Sequence, residues 1–317
     1  MVDLQGEAGW PDHMGRIAVD PARVARPRAT DDEQTISGRR VRRLILWFAL
    51  VAPFMAVFVG TRSMTFAIGI VILSHILVLY PTLAATSQWL GPVVTHFATD
   101  EREVWLTIDD GPDPVDTPRI LDLLARYRAR ATFFVRGERV RRYPQEVGAI
   151  VRQGHSLGNH SDAHPSARFW CFGPRRIAQE IDQCNKAILD VTGNPTTWFR
   201  APVGMKNPFV HPLLGARGMS LIGWSARGFD AVKNECSAVV RRICKDIKPG
   251  TIILAHEGRG AGACNCIEFL VKRLSEEGFS FVIPSQDKLR SRAPAQGGDA
   301  TKVGNTISAV MPRRSAF

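Results

Sequence analysis

Apolar positions along the chain fall into two regimes. From Leu44 to Gly60, and again from Met64 to Tyr80, they run 17 residues without a formal charge, separated only by Thr61-Arg62-Ser63. Read as helix, each run rises about 25 Å against a hydrocarbon core of about 30 Å, so two short membrane spans joined as a hairpin are predicted over 44–80. Pro53 should kink the first. Two buried helices of a soluble protein would account for one such run more easily than for two so closely spaced. A signal peptide fits less well, because no small-x-small cleavage site follows the first run.

From Glu103 onward the apolar residues come in short β-rich runs alternating with helical stretches. Val104–Ile108, Ala131–Val135, Ser156–Gly158, Trp198–Arg200, Ser220–Trp224, Thr251–Leu254 and Phe279–Ile283 read as strands. Helical patterns lie at Pro118–Tyr127, Pro174–Val191, Cys236–Ile247 and Cys266–Glu277. Strands alternating with helices over about 180 residues imply a parallel sheet with enough strands to curl into a barrel, whose chemistry gathers at the strand C-termini.

The chain has 317 residues, 45% hydrophobic and 22% charged, which excludes a disordered tail, a fibre and a disulfide-stapled miniprotein. Its formal net charge of +11 is dispersed: residues 1–43 carry eight Arg against seven acids, and 285–317 carry six Lys/Arg against two. With no basic stripe and no reading helix, nucleic acid is not an expected partner. The segments 1–43 and 285–317 read as a disordered polar leader and tail. Eight Arg before the first span and only Arg62 in the turn place the N-terminus in the cytoplasm. Two crossings then return the region from Glu103 onward to the cytoplasmic face of an inner membrane, with a periplasmic placement as the alternative. The six cysteines contain no Cys-x-x-Cys pair, and reduced thiols agree with that orientation.

Polar motifs follow several of these strands. Asp109-Asp110-Gly111-Pro112 pairs two carboxylates that must divide their roles, one on a metal and one taking protons; the bland reading is an Asp-Gly-Pro turn. His160 and His164, four residues apart, share a face in a helix or turn and with Asp110 form a two-His-one-carboxylate set with open positions. Arg200, unless it is an ordinary surface Arg before a Pro turn, can hold Asp109 ionised. His256 ends a later strand where it can protonate a leaving amine, with Asp230 as its partner.

Together these motifs resemble the polysaccharide deacetylase family (NodB homology domain, carbohydrate esterase family 4) over 103–284. The resemblance rests on Thr107-Ile108-Asp109-Asp110-Gly111-Pro112, His160-Ser161-x-x-His164, Arg200-x-Pro202-x-Gly204 and Leu254-x-His256, in the family's order. It implies an α/β fold, a distorted (β/α)7 barrel, and metal-dependent removal of N- or O-acyl groups from sugars. Carried over, Asp109 is the general base, oriented by Arg200, and His256 the general acid. Asp110, His160 and His164 hold a divalent metal, zinc first, with cobalt and nickel as alternatives. A backbone N–H near Val203 supports the oxyanion.

Two positions depart from the family. Arg227-Gly228-Phe229-Asp230-Ala231 stands where Asp-x-x-Asp-Trp is usual, and Val203 stands where Tyr is frequent. The pocket wall is therefore altered, while Trp198, Phe199 and Trp224 are candidates for replacement apolar surface. A site beside a membrane hairpin suits an acylated aminosugar carried as a lipid-linked glycan precursor, bearing an acetyl or formyl group. The rival readings are a non-sugar amidase on the same fold and a catalytically inactive membrane-bound glycan-binding protein.

Overall fold

In the computed structural model, residues 29–166, 168–232, 235–258 and 261–291 are described. The expected leader up to position 28 and the tail from 292 lie outside them. Two helices open the described chain, α1 (Ala29–Gly60) and α2 (Met64–Leu83), packed on each other as a hairpin. Helix begins well before Leu44, so 29–43 is helical rather than the irregular leader expected, and α1 runs through Pro53. Arg39–Gly60 and Met64–Leu83 are long and apolar enough to cross a membrane, at 22 and 20 residues. The first exceeds its 17-residue apolar run at the N-terminal end, where helix already includes Arg39–Arg43, and the second at the C-terminal end, through Pro81–Leu83.

After the hairpin the chain interleaves strands β1 (His96–Phe97), β2 (Glu103–Gly111), β3 (Ala131–Val135), β4 (Ser156–Asn159), β5 (Trp198–Phe199), β6 (Ser220–Leu221), β7 (Ala226–Arg227), β8 (Thr251–His256), β9 (Ser280–Phe281) and β10 (Leu289–Arg290) with helices. These helices are α3 (Asp116–Arg126), α4 (Gly137–Arg142), α5 (Pro144–Arg152), α6 (Pro174–Thr192), α7 (Val210–Gly215), α8 (Cys236–Cys244) and α9 (Ala261–Glu276). The strand order is β10-β1-β8-β2-β3-β4-β5-β6, with β7 also on β8 and β9 on β2. Parallel pairing runs from β8 through β6, and a parallel bridge between Val94 and Ile222 joins the two ends of the curl. The curled α/β sheet is the expected distorted barrel.

Strand β2 shows how sequence period becomes architecture. Val104, Leu106 and Ile108 enter the large apolar layer between sheet and helices, while Trp105 faces inward with Phe97, Phe134, Ile222 and Ile252. Period-2 alternation therefore turns Thr107 and Asp109 toward the barrel interior. Asp110 should then face outward, but the β2–β3 register shifts between Asp109 and Gly111, and Asp110 takes φ 75°. That bulge brings adjacent carboxylates to one site.

Three expectations need correction. The chain after Pro284 is not an irregular tail at once, because a 3-10 turn (Gln286–Lys288) leads into β10, which pairs with β1. Cys236 and Cys266 form a disulfide, with Cα atoms 4.7 Å apart, instead of remaining thiols. Spacing in sequence hid this pair, which α8 and α9 bring together by packing on each other. Phe199 belongs to a buried apolar cluster with Phe169 and Val210, so it cannot wall a substrate pocket.

Candidate metal centre

Asp110 from the β2 bulge meets His160 and His164 from the loop after β4. One ligand atom from each lies within 4.8 Å of the other two. His164 Nε2 is 3.4 Å and His160 Nε2 3.9 Å from Asp110 Oδ1. The histidines reach one point through a turn rather than a helix: Ser161 and His164 have φ of 64° and 50°. Asn159 Oδ1 accepts from Ser161 N–H, and Ser161 Oγ accepts from His164 N–H. Buried Glu180 accepts both Asp162 and Ala163 N–H groups, fixing the loop from below.

The outer nitrogens are also spoken for. His160 Nδ1 lies 2.9 Å from the Arg200 carbonyl oxygen, which can only accept, so Nδ1 carries the proton and Nε2 turns a lone pair to the centre. His164 Nδ1 is 3.1 Å from Ser166 Oγ. Burial, with His160 adding to it, presses the His164 pKa down to about 3. Burial works against ionisation of Asp110, yet His160, His164, His256 and Arg136 outweigh it and hold the carboxyl below the usual carboxylate range. An anionic oxygen beside a neutral imidazole is the donor state a divalent ion requires, so these residues fit zinc or a related metal.

Arg200 and Asp109 form one flank. Both are almost fully buried, and Arg200 Nη1 donates to Asp109 Oδ1 at 2.8 Å. Three of the other four guanidinium hydrogens go to Thr107 Oγ1, Ile222 O and Gly223 O, and the Phe134 ring centroid lies 4.2 Å from the guanidinium carbon. Burial lowers the Arg200 pKa while Asp109 raises it in opposition. With Oδ1 engaged, Asp109 Oδ2 faces the centre, 3.5 Å from His160 Nε2.

His256 forms the other flank. It is the register partner of Asp109 across β8 and β2. Asp230 accepts from the His256 backbone N–H at 2.8 Å and lies 3.0 Å from Nδ1. Burial disfavours the imidazolium, but the Asp230 hydrogen bond and charge, with Asp109 and Asp110, outweigh it and raise the His256 pKa above its ordinary value. All seven sequence-expected residues therefore gather at one end of the curled sheet.

Two contributors escaped the sequence reading. Thr107 receives Arg200 and donates to Ile253 O at 2.6 Å; its place two residues before Asp109 in a period-2 strand was the available signal. Glu257, next to His256, is fully buried under the bulge. A Cβ added at Gly111 would sit 1.7 Å from Glu257 Oε1, so that approach requires glycine. Thr117 Oγ1 donates to Glu257 Oε2, and burial pushes the Glu257 pKa up to about 8.

A family model described as "Polysaccharide deacetylase" matches residues 97–221. A chitooligosaccharide deacetylase of Sinorhizobium fredii is 34% identical over 166 residues, covering 52% of this chain and 76% of that protein. A peptidoglycan-N-acetylglucosamine deacetylase of Bacillus cereus is 32% identical over 201 residues, covering 62% and 92%. Among solved structures, a family 4 carbohydrate esterase from Streptomyces lividans in complex with acetate superposes with TM-score 0.55 at 27% identity, covering 61% of this chain and 97% of that one.

Proposed function

The chain belongs to the polysaccharide deacetylase family, and on that premise we propose that it is a metal-dependent hydrolase that removes an N-acyl group from an aminosugar. Carbohydrate deacetylation, a hydrolysis of a non-peptide carbon–nitrogen bond, is the activity its relatives carry in their names. The observation that carries the reading is the convergence of Asp110, His160 and His164, flanked by the Asp109–Arg200 and His256–Asp230 pairs.

Asp110, His160 and His164 would hold the ion, zinc first. Bound there, a divalent metal supplies polarisation of the acyl carbonyl and a lowered pKa for the attacking water. Asp109 accepts the proton of that water at Oδ2, while Arg200 keeps Oδ1 engaged and the carboxylate oriented. A backbone N–H near Val203 offers the developing oxyanion a donor. His256 gives a proton to the departing amine, and Asp230 keeps the imidazolium accessible toward neutral pH.

The substrate we infer is an acylated aminosugar carried on lipid, with acetyl or formyl as the acyl group. It is supported by the two apolar helices that would hold the domain at a bilayer, and by Arg227 and Val203 where the family's polymer-binding residues are frequent. For orientation we take the periplasmic alternative over the cytoplasmic face first expected. The positive-inside tendency favours a cytoplasmic domain, but a Cys236–Cys266 disulfide belongs to an oxidising compartment, so the domain is assigned to the outer face. A covalent bond that the cytosol would reduce outweighs a statistical bias. The test is acyl release from a panel of soluble and lipid-linked N-acyl aminosugars by the zinc-loaded full-length protein in detergent. Release that disappears in Asp109→Asn supports the reading. No release from any aminosugar would sink it.

A further inference from the structure

The loop that carries Arg200 and Val203 does not end at the site. It runs through a short 3-10 turn (Pro202–Gly204) straight onto the end of the membrane hairpin. Lys206 is fully buried there, and its ammonium donates to Ala84 O at 2.9 Å and Ala85 O at 3.0 Å, just past the last turn of α2. Its backbone N–H donates to Thr82 O, inside α2, at 3.2 Å. A helix C-terminus leaves carbonyls without helical partners, and the Lys206 Nζ–H groups supply donors to the carbonyls that follow it; burial presses the Lys206 pKa down to about 7, so the clamp rests on these hydrogen bonds rather than on a full charge. Gly204, at φ 74°, lets the two segments touch: an added Cβ would sit 2.5 Å from Ala85 Cβ and 2.6 Å from Trp224.

The surface around this junction is apolar and aromatic. Tyr80 at the end of α2 packs on Trp89 with ring centroids 4.8 Å apart, and both remain about half exposed. Phe209 and Val203 are exposed on the loop side. Paired Tyr and Trp at the end of a membrane-length apolar helix are the usual occupants of a membrane–water interface.

We propose that Lys206 is a positioning residue that clamps the Arg200–Met205 loop to the end of α2, making the membrane hairpin a structural part of the active-site rim, so that substrate reaches the site from the bilayer surface. The hairpin is then more than a tether. Anything that shifts α2 relative to the sheet shifts the Val203 backbone, and a displacement of about 1 Å at such a position can cost as much as 100-fold in rate. The proposal rests on the deacetylase reading for its substrate and on the hairpin contact for its geometry, which the test separates.

Two variants of the full-length, zinc-loaded protein serve: Lys206→Met, which keeps the buried stem and removes the ammonium, and Ala85→Leu, which presses on Gly204 from the hairpin side. Hydrogen exchange of the 203–205 amides should accelerate by about tenfold or more in each, without comparable change in β2 or β3. On a soluble N-acetylated chitooligosaccharide, kcat should fall by about tenfold or more, with KM and bound zinc unchanged. In phosphatidylcholine–phosphatidylglycerol vesicles the wild type should prefer an alkyl-anchored N-acetyl aminosugar to the same glycan free in solution. Unchanged exchange in both variants overturns the clamp, whether or not the enzyme is active. Equal use of anchored and free glycan overturns surface access. A wild type with no acyl release at all instead removes the deacetylase reading, and the exchange result still decides the clamp.

Discussion

Asp109 and Asp110 are chemically identical neighbours set to different work by their surroundings. One has its Oδ1 held by a buried guanidinium, and the other sits against two imidazoles. Removing the first partner is severe: Arg200→Met leaves Asp109 as a buried carboxylate without its cation and should cost about 3–5 kcal/mol in denaturant unfolding, along with most activity. His256→Ala should lower kcat by about 10²–10⁴-fold. Asp230→Asn has a subtler signature, because the raised His256 pKa depends on that carboxylate. A general acid must be protonated, so the alkaline limb of the kcat–pH profile should move to lower pH in Asp230→Asn; an unmoved limb would remove His256 from that role.

Glu257 gives a stability prediction whose sign follows from its raised pKa of about 8 against an ordinary value of 4.5. Below pH 4.5 the acid is neutral in both folded and unfolded chains, and its contribution to stability is fully present. Between 4.5 and about 8 only the unfolded chain ionises, so stability falls as pH rises. Glu257→Gln removes that loss and should stabilise the protein at pH 8 while matching wild type near pH 4.5, as read from urea midpoints at the two pH values.

At the scale of elements, two devices shape the site. The β2 bulge is local, turning the strand end so that two consecutive side chains enter one cavity. The Cys236–Cys266 disulfide is longer in range, closing a sequence separation of 30 residues between the start of α8 and α9. Asp230 lies on the β7–α8 connection and His256 at the end of β8, the strand before α9, so the bond braces the segments that carry both members of the His256–Asp230 pair. Reduction, or Cys236→Ser, should lower stability by about 2–4 kcal/mol, seen as a fall in Tm of several degrees. The lower-stability form should also show reduced kcat on soluble substrate.

For the molecule as a whole, the hairpin and the curled sheet meet through Lys206 and Gly204. Metal that binds only the folded chain stabilises by mass action, so chelation should abolish activity and lower Tm, and zinc should restore both. An externally added, membrane-impermeant thiol or a reporter at the C-terminus should find the catalytic domain outside the cytoplasm; a cytoplasmic signal would overturn the orientation drawn from the disulfide.

Much of this was legible from order and period alone. The β-rich runs before Asp109 and the alternation of Val104, Leu106 and Ile108 set the strand, its buried face and the side on which chemistry would appear. Motif residues could be named because strand ends and reactive side chains coincide along the chain. Other features depend on segments distant in sequence meeting in space: the Cys236–Cys266 bond, the Thr107 contact to Arg200, Glu257 beneath Gly111, and Lys206 on the end of α2. Local pattern determines what each segment becomes, because backbone sterics and amphipathicity act over a few residues. Which buried groups share a proton, a charge or a covalent bond was decided only by tertiary packing, because those energies depend on distances that the linear order does not contain.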